Sequence, residues 1–411
     1  MFHALRHRDF RLLWAGQTIS FIGDGLFKVA LTWQALELSP TASALAIVTI
    51  ARSVPRLAFL LVGGVISDRV PRRTLMLTAD VVQTVGVGAI AFLVTTGDIQ
   101  VWHLAGLSAL IGLAQAFYLP SITAITPELV PKEDLVQANA LRSGSQMLAY
   151  DFLGPAVGGV LVATLGSAPS FGINAVSFAV SAVALLAIRH RPVPEETEGQ
   201  RNLRREMLEG LRYARSQPWL WISLVVVAGS NLAFSSALSI LIPLHVKNDL
   251  AGSASELGAY FAAIGLGGGI AVLATTGLRS RQGHLPASFA AWIVSALAIT
   301  GAGLSPFIVG VVVCGFVIGA GLQYGNVMWE SLMQAAVPAR LLGRVTSFDW
   351  FMSLALEPVG LAIAAPVAVA IGASPALISA GLFCTTLLVL GYTRKGVRRA
   401  DPLSDGAARE A

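Results

Sequence analysis

The feature that most constrains this chain is a succession of apolar stretches, each long enough to cross a bilayer. A membrane-spanning helix needs about 20 mostly apolar residues. Twelve such segments follow one another, at 12–36, 43–66, 74–96, 102–126, 138–165, 168–188, 218–245, 254–278, 285–304, 306–334, 345–371 and 374–393. Only 12% of the 411 residues are charged, whereas a soluble domain carries about 25%. The sequence therefore predicts an all-α, polytopic membrane protein with twelve transmembrane helices.

The basic residues indicate the orientation of these segments. Of the 28 lysines and arginines, 24 lie in the amino-terminal stretch, in the connections after even-numbered segments, or in the tail. The remaining connections contain only Lys247. Since cytoplasmic loops carry the excess of basic residues, we expect both termini in the cytoplasm. The same distribution argues against nucleic-acid binding, despite a net charge of +5.

The sequence carries no signature of catalysis or of a bound cofactor. Cys314 and Cys384 both lie inside apolar segments, which excludes a disulfide framework or a cysteine metal site. No histidine has metal-ligand spacing to an acid, and the Gly-x-x-x-x-Gly-Lys-Ser/Thr loop of nucleotide hydrolases is absent. We therefore expect neither enzyme activity nor a cofactor nor a metal ion.

A long polar connection at 190–216 divides the chain into two halves. We predict an amino-terminal six-helix bundle at 1–189, a cytoplasmic linker at 190–216, a carboxy-terminal six-helix bundle at 217–393 and a cytoplasmic tail at 394–411. Residues 201–215 can form a surface helix or remain a solvated linker. Val130-Pro131 and Val337-Pro338 recur at the same helix exit of each half. Parallel repeats of this kind occur in secondary transporters, so the two bundles are predicted to be pseudo-symmetric.

Several charged residues lie deep inside the predicted segments. At 1.5 Å per residue, they lie about 14 to 20 Å from the nearest basic flank. A lone charge at that depth costs at least about 2.5–3.5 kcal/mol, so each should face a cavity or a partner. The acids are candidates for carrying a proton: Asp24, Asp151, Glu330 and Glu357. Arg52 and Arg56 can pair with Glu357 or Asp151, or bind an anionic group.

Polar residues also recur at helical spacing and form stripes. Gln17, Asp24 and Lys28 share one face of the first segment, and Gln323, Asn326, Glu330 and Gln334 share one face of the tenth. Asp24 and Lys28 can instead form a structural ion pair, and the tenth-segment stripe can serve interhelical hydrogen bonding alone. The candidate substrate-binding residues are Gln17, Lys28, Arg52, Arg56, Gln115, Tyr118, Asn231, Gln323, Asn326 and Trp329.

Two motifs resemble those of the major facilitator superfamily. Gly64-x-x-x-Asp68-Arg69-x-x-Arg72-Arg73 is similar to the family's loop between helices two and three, with Pro71 in place of a glycine. Gly154-Pro155-x-x-Gly158-Gly159 resembles the motif of its exporters, with Tyr150 where an upstream glycine is usual. Asp24, Leu129-Val130-Pro131, Ala138-Asn139 and Gly343-Arg344-Val345 resemble a bacterial efflux branch that includes siderophore and macrolide exporters.

The resemblance implies a cavity lined by helices one, four, seven and ten, and a loop that locks the cytoplasmic side against helix eleven. Asp68 would cap that helix near Arg344, and Arg69 or Arg72 would pair with Asp349. Alternatively, the loop arginines only anchor the topology. The candidate gating residues are Gly64, Asp68, Arg69, Arg72, Gly154, Pro155, Arg344 and Asp349.

The sequence thus predicts a monomeric, proton-coupled exporter of a small amphipathic or drug-like molecule, working by alternating access in the lipid bilayer. Protonation of Asp24 or Glu330 would weaken substrate binding in the outward-open state. Two alternatives remain: uptake of an organic anion or lipid-like solute with Arg52 and Arg56 as ligands, and a membrane sensor that does not transport.

Overall fold

The computed structural model describes residues 3–39, 41–67, 70–189, 203–275 and 283–398. These residues are almost entirely helical and contain no strand. The helices are α1 (Arg8–Leu38), α2 (Ala42–Ser67), α3 (Arg72–Thr96), α4 (Val101–Leu129), α5 (Leu135–Ser145), α6 (Gly154–Leu165), α7 (Ser167–Ala187), α8 (Leu203–Ser216), α9 (Pro218–Ser236), α10 (Ile242–Leu244), α11 (Ala254–Thr275), α12 (His284–Leu304), α13 (Ile308–Ala336), α14 (Ala339–Ala355), α15 (Glu357–Ile371), α16 (Ala373–Thr393) and α17 (Lys395–Arg398). The predicted all-α class is confirmed.

Wider π-helical turns interrupt two of the long helical runs. They lie at Gln146–Leu153, between α5 and α6, and at Ala237–Leu241 and His245–Asp249, on either side of α10. Because each such turn takes in more residues than an α-helical turn, side chains beyond it are rotated relative to an uninterrupted helix. Asn231 and Ser235 precede the turn at Ala237–Leu241 and Ser239 lies within it, so these three polar residues, four positions apart, do not form one continuous helical face.

Valine-proline pairs end the corresponding helices of the two halves. Val130 follows α4 with φ −136° and ψ 148°, and Val337 follows α13 with φ −95° and ψ 128°. Both are extended because the ring of the next proline disfavours helical backbone at the residue before it. The prolines then stand immediately before the next helical element, at Lys132 and at Ala339.

Eleven helices among the described residues are long and apolar enough to cross a membrane. Each of the twelve predicted segments coincides with a helix or with a joined helical run. Most predicted ends lie within a few residues of the observed ones. α1, 31 residues long, is not among the eleven. It differs from them in its charge, since it carries Arg8, Asp9, Arg11, Asp24, Lys28 and Glu37.

The chain forms two compact units. The amino-terminal unit contains the described residues of 3–189 together with Pro243–Gly265, and the carboxy-terminal unit contains those of 203–242 and 266–398. In the first, α1 packs against α6 and α7, α2 against α4, and α3 against α4 and α7. In the second, α12 packs against α13 and α16, α9 against α15 and α16, and α8 against α14. The polar linker thus contains a packed helix, α8, which is the surface-helix alternative.

Candidate functional site

In the amino-terminal unit, charged side chains meet in the helical interior. Asp24 on α1 lies close to Arg52 on α2 and to Asn174 on α7. The guanidinium carbon of Arg52 lies 5.1 Å from the ring centre of Phe27. Opposite charges inside a membrane protein stabilise each other because water is excluded. Asp24 and Arg52 were both predicted as site residues, and the structure places them next to each other.

Asp24 and Lys28 share a face of α1, but they have different surroundings. The Nζ atom of Lys28 lies 4.5 Å from the ring centre of Phe261 and 5.5 Å from that of Tyr150. Asp151 is the acid near Lys28. The ammonium therefore sits among aromatic faces, which attract cations, with the Asp151 carboxylate nearby.

One acid of this interior, Asp80 on α3, escaped the sequence analysis. Its side chain is 1% exposed, and it lies near Tyr118 on α4 and Ser181 on α7. Neither carboxylate oxygen has a hydrogen-bond partner of ordinary geometry among the described residues. The signal was present in the sequence, because Asp80 lies inside the segment 74–96 just as Asp151 lies inside 138–165.

Tyr118 connects these groups. It lies near both Asp80 and Asp24, and also near Arg142. Arg142 in turn donates a hydrogen bond from Nη1 to the Thr126 hydroxyl, at 3.1 Å. The amino-terminal unit therefore holds two carboxylates and one guanidinium group around a phenol, with the Arg52 guanidinium beside one of the carboxylates, in a region built from α1 to α5 and α7. Gln17 is also buried there, 4% exposed, and its Oε1 has no partner among the described residues.

The two arginines that begin α3 bind the ends of neighbouring helices. Arg73 donates from Nε to the Leu185 carbonyl and from Nη2 to the Leu186 carbonyl, both at 2.7 Å. Arg72 forms an ion pair with Glu128 and donates to the Ala124 carbonyl at 3.2 Å. Basic groups at a helix carboxy-terminus satisfy its last carbonyls and favour its dipole. Asp68 and Arg69 lie outside the described residues, so the latch they were assigned stays a prediction.

The glycines of the α6 motif lie against the backbones of other helices. A methyl group built on Gly154 would lie 2.6 Å from the Cα of Gly25 on α1, and one on Gly159 would lie 2.8 Å from the Cα of Gly258 on α11. No side chain fits at that distance, so glycine is required there. α6 therefore touches α1 and α11 backbone to backbone within the amino-terminal unit.

The carboxy-terminal unit contains a cavity of about 460 Å³. Helices α9, α12, α13, α14 and α16 supply its lining, which is mostly apolar. The polar lining side chains are Ser223, Ser230, Asn231, Asn326, Glu330, Gln334, Thr346, Asp349 and Ser353. The cavity therefore brings together Asn231, Asn326, Trp329 and Glu330, predicted as substrate or proton ligands, with Asp349, predicted as a gating residue.

Three hydrogen bonds orient side chains of the cavity. The indole N–H of Trp329 donates to Oδ2 of Asp349 at 3.0 Å, and that of Trp292 donates to Oδ1 of Asn326 at 3.2 Å. Asn231 donates from Nδ2 to the Ser353 carbonyl at 3.0 Å. The rings of Trp292 and Trp329 have centres 5.9 Å apart. These contacts fix the walls of the cavity before any ligand arrives.

Arg344 lies at the start of α14 and binds the linker helix. It forms an ion pair with Glu209 of α8. A methyl group on Gly210 would lie 2.8 Å from the Arg344 carbonyl oxygen, so α8 approaches α14 at that glycine. Arg344 was predicted as a gating residue, and its partner Glu209 was not predicted.

At the amino-terminus, two neighbouring histidines meet a carboxylate that is distant in the sequence. His3 Nδ1 and His7 Nε2 lie 3.1 and 2.8 Å from carboxylate oxygens of Asp134. Their ligand atoms all lie within 4.8 Å of one another, an arrangement able to hold a metal ion. The sequence could not indicate this proximity, because local spacing reveals only ligands on the same element.

Residues 1–402 match the family described as transmembrane secretion effector. The chain belongs to this family, a branch of the major facilitator superfamily. The enterobactin exporter EntS of Citrobacter koseri is 28% identical, over 98% of this chain and 96% of that protein. The multidrug efflux pump Tap of Mycolicibacterium fortuitum is 26% identical, over 90% of each chain.

Solved transporters share the fold. The nucleoside transporter NupG superposes with a TM-score of 0.72 at 13% identity, covering 94% of this chain and 100% of NupG. A bacterial homologue of the iron transporter ferroportin, in an inward-facing state, gives 0.70 at 16% identity, covering 94% and 99%. The predicted family is confirmed, and the protein is a multi-pass efflux transporter for a small molecule rather than an enzyme.

Proposed function

We propose that this transporter exports a small amphipathic molecule in exchange for protons, by alternating access. The observation that carries the proposal is the Asp24 carboxylate beside Arg52 in the interior of the amino-terminal unit. A proton on Asp24 removes its charge and so weakens the attraction to Arg52. Because that attraction is strong where water is excluded, the proton would favour a different packing of α1 and α2.

Asp80 supplies a second place for a proton along the same interior. Its carboxylate is buried next to Tyr118 and Ser181, and Tyr118 also lies near Asp24. A hydroxyl between two carboxylates can pass a proton by accepting from one and donating to the other. We assign the coupling role to Asp24 and Asp80, with Asp151 beside Lys28 as a third acid on the same unit.

The proposal includes the membrane arrangement. We take α1 as a twelfth spanning helix, whose charges face protein rather than lipid, and we keep the bundles 1–189 and 217–393 with both termini in the cytoplasm of a bacterial inner membrane. The protein acts as a monomer. In this proposal, the loop Asp68–Arg69 closes the cytoplasmic side against α14. Arg72 and Arg73 fix the start of α3, which follows that loop.

Uptake of an organic anion is the competing function. It requires Arg52 and Arg56 to bind the substrate. The proximity of Asp24 to Arg52 disfavours that role, because an anion would have to displace or share the carboxylate. Flux in inside-out and right-side-out vesicles separates the two functions, since each predicts the opposite direction.

The test uses purified protein in liposomes with an imposed pH gradient and a set of neutral, cationic and anionic amphipathic dyes. Wild type should move at least one dye against its gradient, and nigericin should abolish that movement. Asp24→Asn should lose pH-driven transport but keep exchange of labelled for unlabelled dye. Asp98→Asn, an exposed carboxylate in the connection after α3, is the control. Undiminished pH-driven transport by Asp24→Asn would rule out the coupling mechanism.

A further inference from the structure

We infer that the cavity of the carboxy-terminal unit binds an amphipathic organic cation through Asp349 and Glu330. The inference deepens the proposed export function by naming the substrate class, and it rests on that function only where transport is concerned. Three features of the cavity support it: its charge, its aromatic walls and its size.

The charge of the lining has one sign. Asp349 on α14 and Glu330 on α13 both line the cavity, and its lining contains no lysine, arginine or histidine among the described residues. An anionic ligand would stand among carboxylates and meet like charge. A cation would instead compensate a carboxylate that lies in largely apolar surroundings, where an uncompensated charge is costly.

The nearest base along α14 is already engaged elsewhere. Arg344 lies five residues before Asp349 and forms an ion pair with Glu209 of α8. It is not part of the cavity lining. The negative charge of the cavity is therefore not offset by the basic start of its own helix, and a ligand is the natural source of positive charge.

The aromatic walls fit the same ligand. Trp292 and Trp329 line the cavity, and Trp219 packs behind Trp329 with ring centres 6.1 Å apart. The face of a tryptophan attracts organic cations more strongly than that of any other side chain. The Trp329 indole also holds Oδ2 of Asp349 at 3.0 Å. Trp329 thus contributes an aromatic ring to the cavity lining and, through its hydrogen bond, orients the Asp349 carboxylate that lines the same cavity.

The size and remaining lining indicate an apolar body on the cation. A volume of about 460 Å³ lies within the range of about 300–1,000 Å³ that is usual for small-molecule sites. Leu224, Val227, Phe234, Leu322 and Met333 supply apolar surface around the acids. A small inorganic cation would leave this surface in contact with water, whereas a bulky ammonium or phosphonium ion would cover it.

The test compares two ions of the same shape and opposite charge. Tetraphenylphosphonium and tetraphenylborate are matched in size, so a difference in affinity reports charge alone. Binding is measured by equilibrium dialysis of the purified, detergent-solubilised protein, with protein-free micelles as the blank. We expect the phosphonium to bind at least about tenfold more tightly than the borate, a difference of about 1.4 kcal/mol.

Variants assign the binding to this cavity. Asp349→Asn and Glu330→Gln should each weaken phosphonium binding by about tenfold, while Asp98→Asn and Trp102→Phe, which lie in the amino-terminal unit, should leave it unchanged. Glu330 is exposed, so Glu330→Gln keeps the test valid if Asp349→Asn fails to fold, as judged by size-exclusion chromatography.

Equal binding of the two ions, or phosphonium binding that survives both cavity variants, would overturn the inference. Because binding is measured without a gradient, it is separable from export. Phosphonium binding without pH-driven transport would contradict the proposed function alone. Conversely, pH-driven movement of a neutral dye by a protein that does not bind phosphonium would contradict the cation site alone.

Discussion

The indole nitrogen of Trp329 lies 3.0 Å from Oδ2 of Asp349, and this bond joins α13 to α14 at the wall of a cavity. The two residues are 20 positions apart and on different helices. The tryptophan is 6% exposed, so the bond is shielded from water and forms a fixed part of the wall. A change at either residue should therefore alter both the stability of the unit and the affinity of its cavity.

Trp329→Phe should keep an aromatic ring and remove the donor. Leaving a shielded acceptor without its partner costs about 1–3 kcal/mol, so the thermal unfolding midpoint should fall. Trp102→Phe, whose indole bonds to Gln100 at an exposed site, is the matched control and should leave the midpoint unchanged. Intrinsic fluorescence during a thermal ramp measures both. An unchanged midpoint for Trp329→Phe would show that the bond contributes nothing to stability.

Gly154→Ala should destabilise the protein and block transport. The added methyl would lie 2.6 Å from the Cα of Gly25, so α1 and α6 must separate, at a cost of about 1–3 kcal/mol. Gly106→Ala is the matched control, because nothing lies within 4 Å of a methyl at that position and alanine is the better helix former. Thermal unfolding and dye transport are measured for both. Wild-type stability in Gly154→Ala would contradict the close contact.

Asp80→Asn should reduce pH-driven transport by about an order of magnitude and leave gradient-free exchange largely intact. The amide has nearly the same shape as the carboxyl group but cannot carry a transferable proton. Because Asp80 lies in the amino-terminal unit, phosphonium binding in the other unit should be unaffected. Loss of exchange together with pH-driven transport would point to a structural role for Asp80 instead.

Exchanging the charges of the Arg72–Glu128 ion pair should restore stability that a change at Arg72 alone removes. Arg72→Glu alone places two acids together at the carboxy-terminal end of α4, where the helix dipole already disfavours negative charge. Both side chains are partly buried, 23% and 14% exposed, so we expect a loss of stability of about 1–3 kcal/mol. The double variant Arg72→Glu, Glu128→Arg should recover part of it. A double variant no more stable than the single would argue against pairing.

Much of the fold could be predicted from the sequence, because apolar length and proline position act locally. The segment 102–126 corresponds to α4, and Val337-Pro338 does end a helix. The π-turn at Ala237–Leu241 could not be foreseen, since it depends on packing between helices, and it rotates the side chains that follow it relative to those of α9.

The candidate sites were only partly predictable. Depth along a segment pointed to Asp24 and Glu330, whereas Asp80 lies only seven residues after Arg73, so its place inside an apolar segment was its one signal. The partner of each residue was not predictable, because it depends on which helices are neighbours and how they are rotated. Asp349 was assigned to a gate through the family resemblance, which stays a prediction, and its hydrogen bond from Trp329 could not be foreseen.

The backbone contacts of α6 with Gly25 and Gly258 have a mechanical consequence. Interlocked side chains resist sliding, since each must lift over its neighbour before the helices can move. Where α6 meets α1 and α11 through glycines, that resistance is missing, and small shear displacements of packed helices are a common mode of protein motion. The two glycine contacts that leave no room for a methyl group would therefore allow α6 to shift along α1 and α11 while its backbone contacts are kept.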